Sequence, residues 1–240
     1  AEKKLSGDQV SEYTHGATVA TNAIITRSGA KTGLITTKGF RDVLEIRRMR
    51  MHKLYDINWE KPKPLVPRHL RMEVPARMNP QGGEEIALDE DAAKEAIKRL
   101  LKEGIDSIAV CFLHAYANPD HENRVGEIIH DVFPETIISL SSEVAPEFRE
   151  YFRASTTVIN AGIRPVVARY LERIENRVRE EGLVAELLLM QSSGGVFTFA
   201  EASRNPVFMV ESGPAAGVIS TAHLGATIGR KDVISFDMGG

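Results

Sequence analysis

Residues 89–140 read DEDAAKEAIKRLLKEGIDSIAVCFLHAYANPDHENRVGEIIHDVFPETIISL, and this stretch decides the fold class of the chain. Asp89 is suited to cap a helix, and the apolar residues after it recur at helical spacing. Residues 105–113, IDSIAVCFL, form a near-continuous apolar run, as in a strand buried on both faces of a parallel sheet. A second helix opens at Pro119, and a second strand follows at Ile137–Leu140. The alternation predicts an α/β fold with right-handed crossovers and a mixed or parallel sheet flanked by helices.

The same alternation continues toward the N-terminus. Apolar residues within Thr18–Thr26 share one helical face, and Ser28-Gly29 follows as a stop signal. Lys31–Thr37 reads as a short strand, and a further helix can begin within Arg41–Arg50. Helix, strand and helix in this order again indicate an α/β protein.

Residues 54–88 interrupt the pattern with a proline-rich segment. Prolines at this density exclude helix and central strand, so we expect an extended excursion with edge strands and turns. Within it, Lys61–Pro67 (KPKPLVP) reads as a stiff arm that wraps the domain surface or touches a partner subunit. The surface excursion is the favoured interpretation.

The C-terminal side contains the longest predicted helix. Residues 147–181 indicate one or two long helices, and Pro165 predicts a break or kink at Ile163-Arg164. A strand at Leu187–Met190 runs into the glycine-rich turn Gln191–Gly195.

The last two predicted elements are a small-residue helix and a strand. Pro214–Leu224 is a helix thin enough to let another backbone pack closely, either at a hinge between two lobes or in a tight core. Asp232–Phe236 is predicted to be the final strand, and it ends in Asp237-Met-Gly-Gly240.

Composition limits the class of protein. The chain has 240 residues, 42% of them hydrophobic and 26% charged, with a net charge of −3. This balance is typical of globular proteins, fits one large domain or two small ones, and argues against a nucleic-acid binder. The single cysteine excludes a disulfide framework and a Cys-rich zinc site within the chain. No apolar run approaches the roughly 20 residues of a membrane span, and the first ten residues have no signal-peptide core, so we expect a cytoplasmic protein without a membrane partner.

The final residues carry the sharpest chemical signal. The predicted strand is followed directly by Asp237, and Gly239 and Gly240 come next. A turn of this kind can offer backbone N–H groups to a phosphate, because glycine has no Cβ to block its approach. Asp237 can hold Mg²⁺, because Mg²⁺ takes few carboxylates beside waters and phosphate oxygens. The same pattern also occurs in ordinary tight turns, but the small-residue helix upstream strengthens the nucleotide interpretation.

Other candidates lie at the ends of predicted elements. Thr18 and Asn22 could face a ligand, or could serve as a helix cap and a local hydrogen bonder. His15 could donate to a phosphate or a substrate carbonyl, or be structural. Gly194 and Gly195 follow a strand, where α/β folds place ligands.

Two further clusters have simpler interpretations. His114, Asp120 and His121 could hold Zn²⁺ or Mn²⁺, but we favour a helix N-terminus with solvated histidines. Cys111 lies in a buried-strand pattern and is expected to be inert.

Several of these stretches together resemble the hydantoinase A/oxoprolinase family, within the superfamily of actin, sugar kinases and heat-shock chaperone ATPases. The matching stretches cover nearly the whole chain in the expected order: His15–Ile24, Gly39–Ile46, Lys63–Arg68, Val144–Tyr151, Ser155–Asn160, Gln191–Gly195, Ser212–Gly217 and Asp237–Gly240.

The resemblance implies a ribonuclease H-like ATPase lobe. Residues 1–155 would be the family's N-terminal region, and 156–240 the start of its second domain, with helix 214–224 as the hinge and 232–240 opening the second lobe. It implies ATP and Mg²⁺ (or Mn²⁺) as cofactors, Asp237 and His15 in catalysis, and Ser212 and Gly213 among the nucleotide-binding residues. The family begins with another phosphate turn and continues beyond Gly240, so the chain is expected to be an internal fragment that is inactive alone.

Three functions fit the resemblance. The first is the ATP-dependent subunit of an oligomeric cyclic-amide hydrolase that phosphorylates the carbonyl of a hydantoin, N-methylhydantoin, oxoproline or lactam and works with a hydantoinase B-like subunit. The second is a subunit of an ATP-dependent acetone or acetophenone carboxylase. The third, a non-catalytic regulatory member of the superfamily, is disfavoured by the stretches at His15–Ile24 and Ser212–Gly217.

Overall fold

The computed structural model of the chain describes residues 7–49 and 55–238. The strands in these ranges are β1 (Glu12–His15), β2 (Thr32–Thr37), β3 (Arg71–Val74), β4 (Arg77–Met78), β5 (Glu84–Ile86), β6 (Ser107–Cys111), β7 (Ile137–Leu140), β8 (Glu186–Met190) and β9 (Val196–Thr198). The helices are α1 (Val19–Ile25), α2 (Val43–Ile46), α3 (Glu90–Lys102), α4 (Asp120–Val132), α5 (Ser141–Val144), α6 (Glu150–Glu180), α7 (Phe199–Arg204) and α8 (Ser212–Thr227). The predicted α/β class with a parallel sheet and flanking helices is confirmed.

The chain packs as two compact units whose boundaries do not follow chain order. Unit 1 combines residues 1–29 with 163–240, and unit 2 is residues 30–162. The division of the sequence into 1–155 and 156–240 remains a prediction about family segments. The compact units differ from it because the first strand and helix pack with residues far along the chain.

Unit 2 contains a four-stranded sheet in the order β3-β2-β6-β7, with every neighbouring pair parallel. Every residue of β2 and β6 is buried, as their apolar runs predicted. Helices α3 and α4 present apolar faces to the hydrophobic core of this unit. Asp89 caps α3 as expected, because its carboxylate accepts a hydrogen bond from the Ala92 N–H at 2.9 Å.

The described part of the proline-rich segment, residues 55–88, is largely extended as predicted, except for a single 3₁₀ turn at Arg68–Leu70. It supplies β3, which lies at the edge of the unit 2 sheet, and the antiparallel pair β4 and β5. Edge positions tolerate proline because an N–H that faces away from the sheet needs no partner strand.

Unit 1 contains a three-stranded mixed sheet in the order β1-β8-β9. Strand β8 runs parallel to β1, with His15 opposite Leu189, and antiparallel to β9. Because β1 and β8 are parallel, the turns that follow them leave the sheet at the same edge.

Of the break or kink expected at Ile163-Arg164, the break is wrong, since α6 runs without interruption from Glu150 to Glu180, and the kink stays a prediction. Proline removes only one intrahelical hydrogen bond, the one that its own N–H would donate to Ala161. Buried side chains stabilise the helix on both sides of the proline: Val158 lies before it, and Val167 and Leu171 lie after it.

The predicted strand at Asp232–Phe236 is also absent, because residues 232–238 are neither helix nor strand. Ile234 and Phe236 are 92% and 83% exposed. A strand needs the backbone hydrogen bonds of a neighbour, and no described residue of this chain pairs with the segment.

Residues 7–49 and 55–238 include no helix that is both long and apolar enough to cross a membrane.

Candidate functional site

All described residues that the sequence singled out for catalysis or cofactor binding lie in unit 1. They lie at the end of β1, at the start of and within α1, in the loop after β8, at the start of α8 and in the segment 232–238. In α/β sheets, ligands bind beyond the carboxyl ends of parallel strands, and β1 and β8 end together here.

His15 ends β1 and is held by a partner that sequence reasoning missed. Its Nε2 atom lies 2.7 Å from the Tyr170 hydroxyl, and the two rings are 5.9 Å apart. Burial lowers the pKa of His15 below its ordinary value, which favours the neutral imidazole. A neutral ring that Tyr170 orients can donate or accept a proton, depending on its tautomer.

Thr18 and Asn22 lie at the start of α1. Thr18 occupies the cap position but makes no side-chain capping bond. Instead the Asn22 side-chain amide donates to the Thr18 hydroxyl at 3.4 Å. The neighbouring Thr21 hydroxyl accepts a hydrogen bond from the Glu211 N–H at 3.0 Å, which ties α1 to the beginning of α8.

The start of α8 packs directly against the turn after β1. Ser212 is fully buried, and its hydroxyl donates to the Ala17 carbonyl at 3.1 Å, so this side chain is engaged by the protein itself. A Cβ added at Gly213 would lie 3.2 Å from the Thr18 methyl group, and one added at Gly16 would lie 3.6 Å from Ala216. The small residues of α8 therefore allow the close backbone approach that the sequence predicted, and the helix N-terminus offers orphan N–H groups beside the turn.

The loop after β8 reaches α8 at a different point. The Gly194 N–H donates to the Gln191 carbonyl at 3.0 Å, and the Gln191 N–H donates to the Gly195 carbonyl at 2.7 Å. Gly194 has φ +91°, and a Cβ there would lie 2.8 Å from Cδ1 of Ile219. The backbone conformation therefore favours glycine at 194, and an added Cβ would also make the tip of the Ile219 side chain shift.

Asp237 lies on the exposed segment 232–238. A Cβ added at Gly217 of α8 would lie 3.5 Å from the Ser235 hydroxyl, which places the segment beside that helix. Gly239 and Gly240 lie outside the described residues, so their predicted phosphate contact remains a prediction.

A separate cavity of about 340 Å³ in unit 1 is unsuited to a nucleotide. Glu172, Glu175 and Glu186 line it, with Arg179 as its cationic group. Three carboxylates would repel phosphate groups.

The described residues hold no group of three or more His, Cys, Asp or Glu side chains suited to a metal. A Mg²⁺ ion needs only one or two carboxylates when phosphate oxygens and waters complete its shell, so a single exposed carboxylate can serve as its protein ligand. The exposed Asp237 carboxylate fits that role.

Two residues considered from the sequence lie in unit 2. Cys111 is buried, and burial raises the pKa of its thiol to about 11, as expected for an inert cysteine. The expectation that His121 is solvated is wrong: it is 5% exposed and its Nε2 atom lies 3.0 Å from the Glu84 carboxylate.

The sequence of this chain was compared with family models and with known proteins. A sequence model of the hydantoinase/oxoprolinase N-terminal region matches residues 1–133, and one of the hydantoinase/oxoprolinase domain matches residues 153–240. An uncharacterized protein of Methanocaldococcus jannaschii is 39% identical over 99% of this chain and 35% of its own length. The caprolactamase subunit alpha of Pseudomonas jessenii is 36% identical over 94% of this chain and 33% of its own length.

Two solved structures share the fold. The ATP-dependent caprolactamase from Pseudomonas jessenii matches 94% of this chain and 33% of its own, with a TM-score of 0.84 at 36% identity. A nucleotide-free acetone carboxylase matches 91% of this chain and 32% of its own, with a TM-score of 0.81 at 27% identity. The chain thus spans about a third of the length of these relatives. Matches along both halves of the sequence, and over the fold, show that this chain belongs to the hydantoinase/oxoprolinase family.

Proposed function

We propose that the whole protein is the ATP-dependent subunit of an enzyme that hydrolyses the C–N bond of a cyclic amide. The observation that carries the proposal is the similarity to an ATP-dependent caprolactamase along nearly all of this chain. Family membership supports the same activity class.

The proposed chemistry overcomes the low reactivity of a lactam toward water. Amide resonance makes a lactam carbonyl a poor electrophile, so water attacks it slowly. Transfer of the γ-phosphoryl group of ATP to the carbonyl oxygen would give an imidate-like phosphate that water can attack. In such a transfer the protein mainly positions the groups and neutralises charge.

The residues of unit 1 would divide this work. Gly213 and the turn Gly16–Thr18 would let a phosphate approach backbone N–H groups at the start of α8. Asp237 would hold Mg²⁺, which would supply charge neutralisation, or would orient water. His15, held by Tyr170, would donate to or accept from the reacting oxygen.

The remaining site residues would complete the nucleotide-binding surface. Gly194 and Gly195 would form its wall after β8, Thr18 and Asn22 would face it from α1, and Gly239 and Gly240 would contact a phosphate. Ser212 would contribute through its backbone, because its hydroxyl is bonded to Ala17.

A partner subunit is part of the proposal. The caprolactamase and acetone carboxylase relatives are named as subunits, which supports a multi-subunit enzyme. We propose a hydantoinase B-like partner, an oligomeric assembly in the cytoplasm, and no nucleic-acid partner.

The test is ATP turnover by the full-length protein with its partner subunit. We expect ATP hydrolysis only when a lactam or hydantoin is present, followed by release of the ring-opened product, measured by phosphate release and mass spectrometry. ATP hydrolysis that does not depend on a cyclic amide would refute the proposal.

Asp237→Asn supplies the residue-level test. Loss of a charge that acts in the transition state costs about 10²-fold or more in rate. Asp232→Asn is the matched control, since Asp232 is an exposed aspartate on the same segment. Equal activity of the two variants would remove Asp237 from the site.

A ketone carboxylase subunit is the second candidate, because acetone carboxylase shares the fold at a TM-score above 0.8. Its signature would be ATP turnover triggered by acetone or acetophenone with bicarbonate and not by lactams.

A further inference from the structure

We propose that a cavity in unit 2, between α2, the proline-rich arm and the first turns of α6, binds a small carboxylate with an apolar body. The proposal does not rest on the ATP chemistry, because the described lining residues all lie in unit 2.

The cavity has an apolar lining on three sides. Leu44 comes from α2, Pro64 and Leu65 from the arm, and Val158 and Ile159 from α6. Leu44 and Val158 are 6% and 2% exposed, so the floor belongs to the packed interior of the unit. Such a surface favours a hydrocarbon group over a fully polar ligand.

The size of the cavity fits a small molecule. Its volume is about 210 Å³, whereas a cavity of about 150 Å³ is enough to bind benzene. A single ring or short branched chain with one polar group therefore fits, and a nucleotide does not.

The charged groups among the described lining residues are cationic. They are Arg47 and Lys63, and no described lining residue is an aspartate or glutamate. Glu45, the acidic residue of α2, does not line it, and its carboxylate is bound by the Arg71 guanidinium at 3.0 Å. The Arg47 guanidinium therefore supplies positive charge that a ligand anion would neutralise.

Arg47 is positioned for this role by the arm. Its Nη2 atom donates to the Pro62 carbonyl. That bond uses one of the five N–H donors of the guanidinium, whose planar fork matches a carboxylate. The flanking prolines restrict the arm, so the guanidinium is held in place before a ligand arrives.

Two hydroxyl groups complete the polar side. Tyr151 and Ser155 lie one helical turn apart on α6, and both line the cavity. Neither hydroxyl has a hydrogen-bond partner among the described residues, although both side chains are partly buried. They can donate to carboxylate oxygens that Arg47 draws into the cavity.

The test compares three probes of one shape by calorimetric titration of the full-length protein. Cyclohexanecarboxylate is the anion, cyclohexanecarboxamide the neutral match and cyclohexylmethylamine the cation. We expect the carboxylate to bind at millimolar concentration or better, the amide about tenfold or more weakly, and the amine not at all. Equal binding of carboxylate and amide, binding of the amine, or no binding of the carboxylate would overturn the proposal.

Variants then locate the site. Arg47→Gln is expected to weaken carboxylate binding about tenfold or more, and Arg99→Gln, an exposed arginine of α3 outside the cavity, to leave it unchanged. The double variant Tyr151→Phe with Ser155→Ala removes both hydroxyls with little change in volume, and it carries the test if Arg47→Gln fails to fold. Unchanged affinity in a folded Arg47→Gln protein, or in the double variant, would refute the assignment.

Discussion

Replacing Glu122 is expected to destabilise unit 2 strongly. This carboxylate is fully buried at the start of α4. It accepts three hydrogen bonds: from the Phe112 N–H at 2.8 Å, the Ser141 hydroxyl at 2.6 Å and the Ser142 N–H at 2.8 Å. It thereby joins the ends of β6 and β7 to α4.

The magnitude follows from counting donors. Glu122→Ala leaves three donors without an acceptor, each costing about 1–3 kcal/mol, so we expect a loss of at least about 3 kcal/mol. Glu122→Gln can keep the oxygen shared by Phe112 and Ser141, but it turns an amide N–H₂ toward the Ser142 N–H. Only the Ser142 N–H then loses its acceptor, and the expected cost is about 1–3 kcal/mol. Against a typical stability of about 5–15 kcal/mol, the alanine variant approaches unfolding of the unit.

The sign of the pH dependence provides a second check. Burial raises the pKa of the Glu122 carboxyl above its ordinary value of 4.5, because desolvation outweighs the hydrogen bonds. The folded state therefore keeps this proton at a pH where the unfolded state has lost it, and stability falls as the pH rises above about 4.5. Glu122→Gln should remove that part of the fall.

Hydrogen exchange of the full-length protein measures the effect where it occurs. The peptide that contains residues 107–113 should lose protection most in Glu122→Ala, less in Glu122→Gln and little in the control Glu127→Ala. Glu127 lies on the same helix, but its partner Arg124 is at the surface, and such pairs contribute about 1 kcal/mol or less. Equal protection in the alanine and glutamine variants would refute the counting of donors.

Three further predictions concern other parts of the chain. Burial lowers the pKa of His15 below 6.5, so the stability that is present above that pH should decline as the pH falls through it, and His15→Gln should flatten the decline in urea midpoints. Cys111, with its thiol pKa raised to about 11, should resist iodoacetamide at neutral pH until the protein is unfolded, as peptide mass spectrometry would show. Gly194→Ala should cost about 1–3 kcal/mol in thermal unfolding, because φ is +91° and the new Cβ would meet Ile219 at 2.8 Å. Gly195→Ala is its control, since the Cβ there would lie 3.4 Å from its nearest neighbour, and equal losses in the two variants would contradict this reasoning.

Local patterns predicted the elements whose cause is local. The cap at Asp89 and the apolar run at 105–113 specify a helix and a buried strand through neighbours within a few residues. Candidate site residues could be named for the same reason. Gly194 lies in the glycine-rich turn Gln191–Gly195, and the start of α8 lies in the stretch Ser212–Gly217.

Expectations failed where pairing partners are distant. An apolar, β-branched run at 232–236 resembles a strand, but it forms none because no described strand lies beside it. Strand β1 gave little signal of its own, and it exists because β8 pairs with it. The effect of Pro165 was overestimated because packing along α6 was not visible in the local pattern.

Residue types and their spacing along the chain were enough to predict the α/β class, the helix capped by Asp89 and the buried strands, and the family was recognised from matching stretches of sequence. The folded structure was needed to show that residues 1–29 pack with 163–240, and that His15 meets Tyr170 across 155 positions. It also decided that Arg47, Tyr151 and Ser155 share one cavity. These are contacts between residues far apart in sequence, and their free energy comes from burial and hydrogen bonding that exist only after the chain has folded.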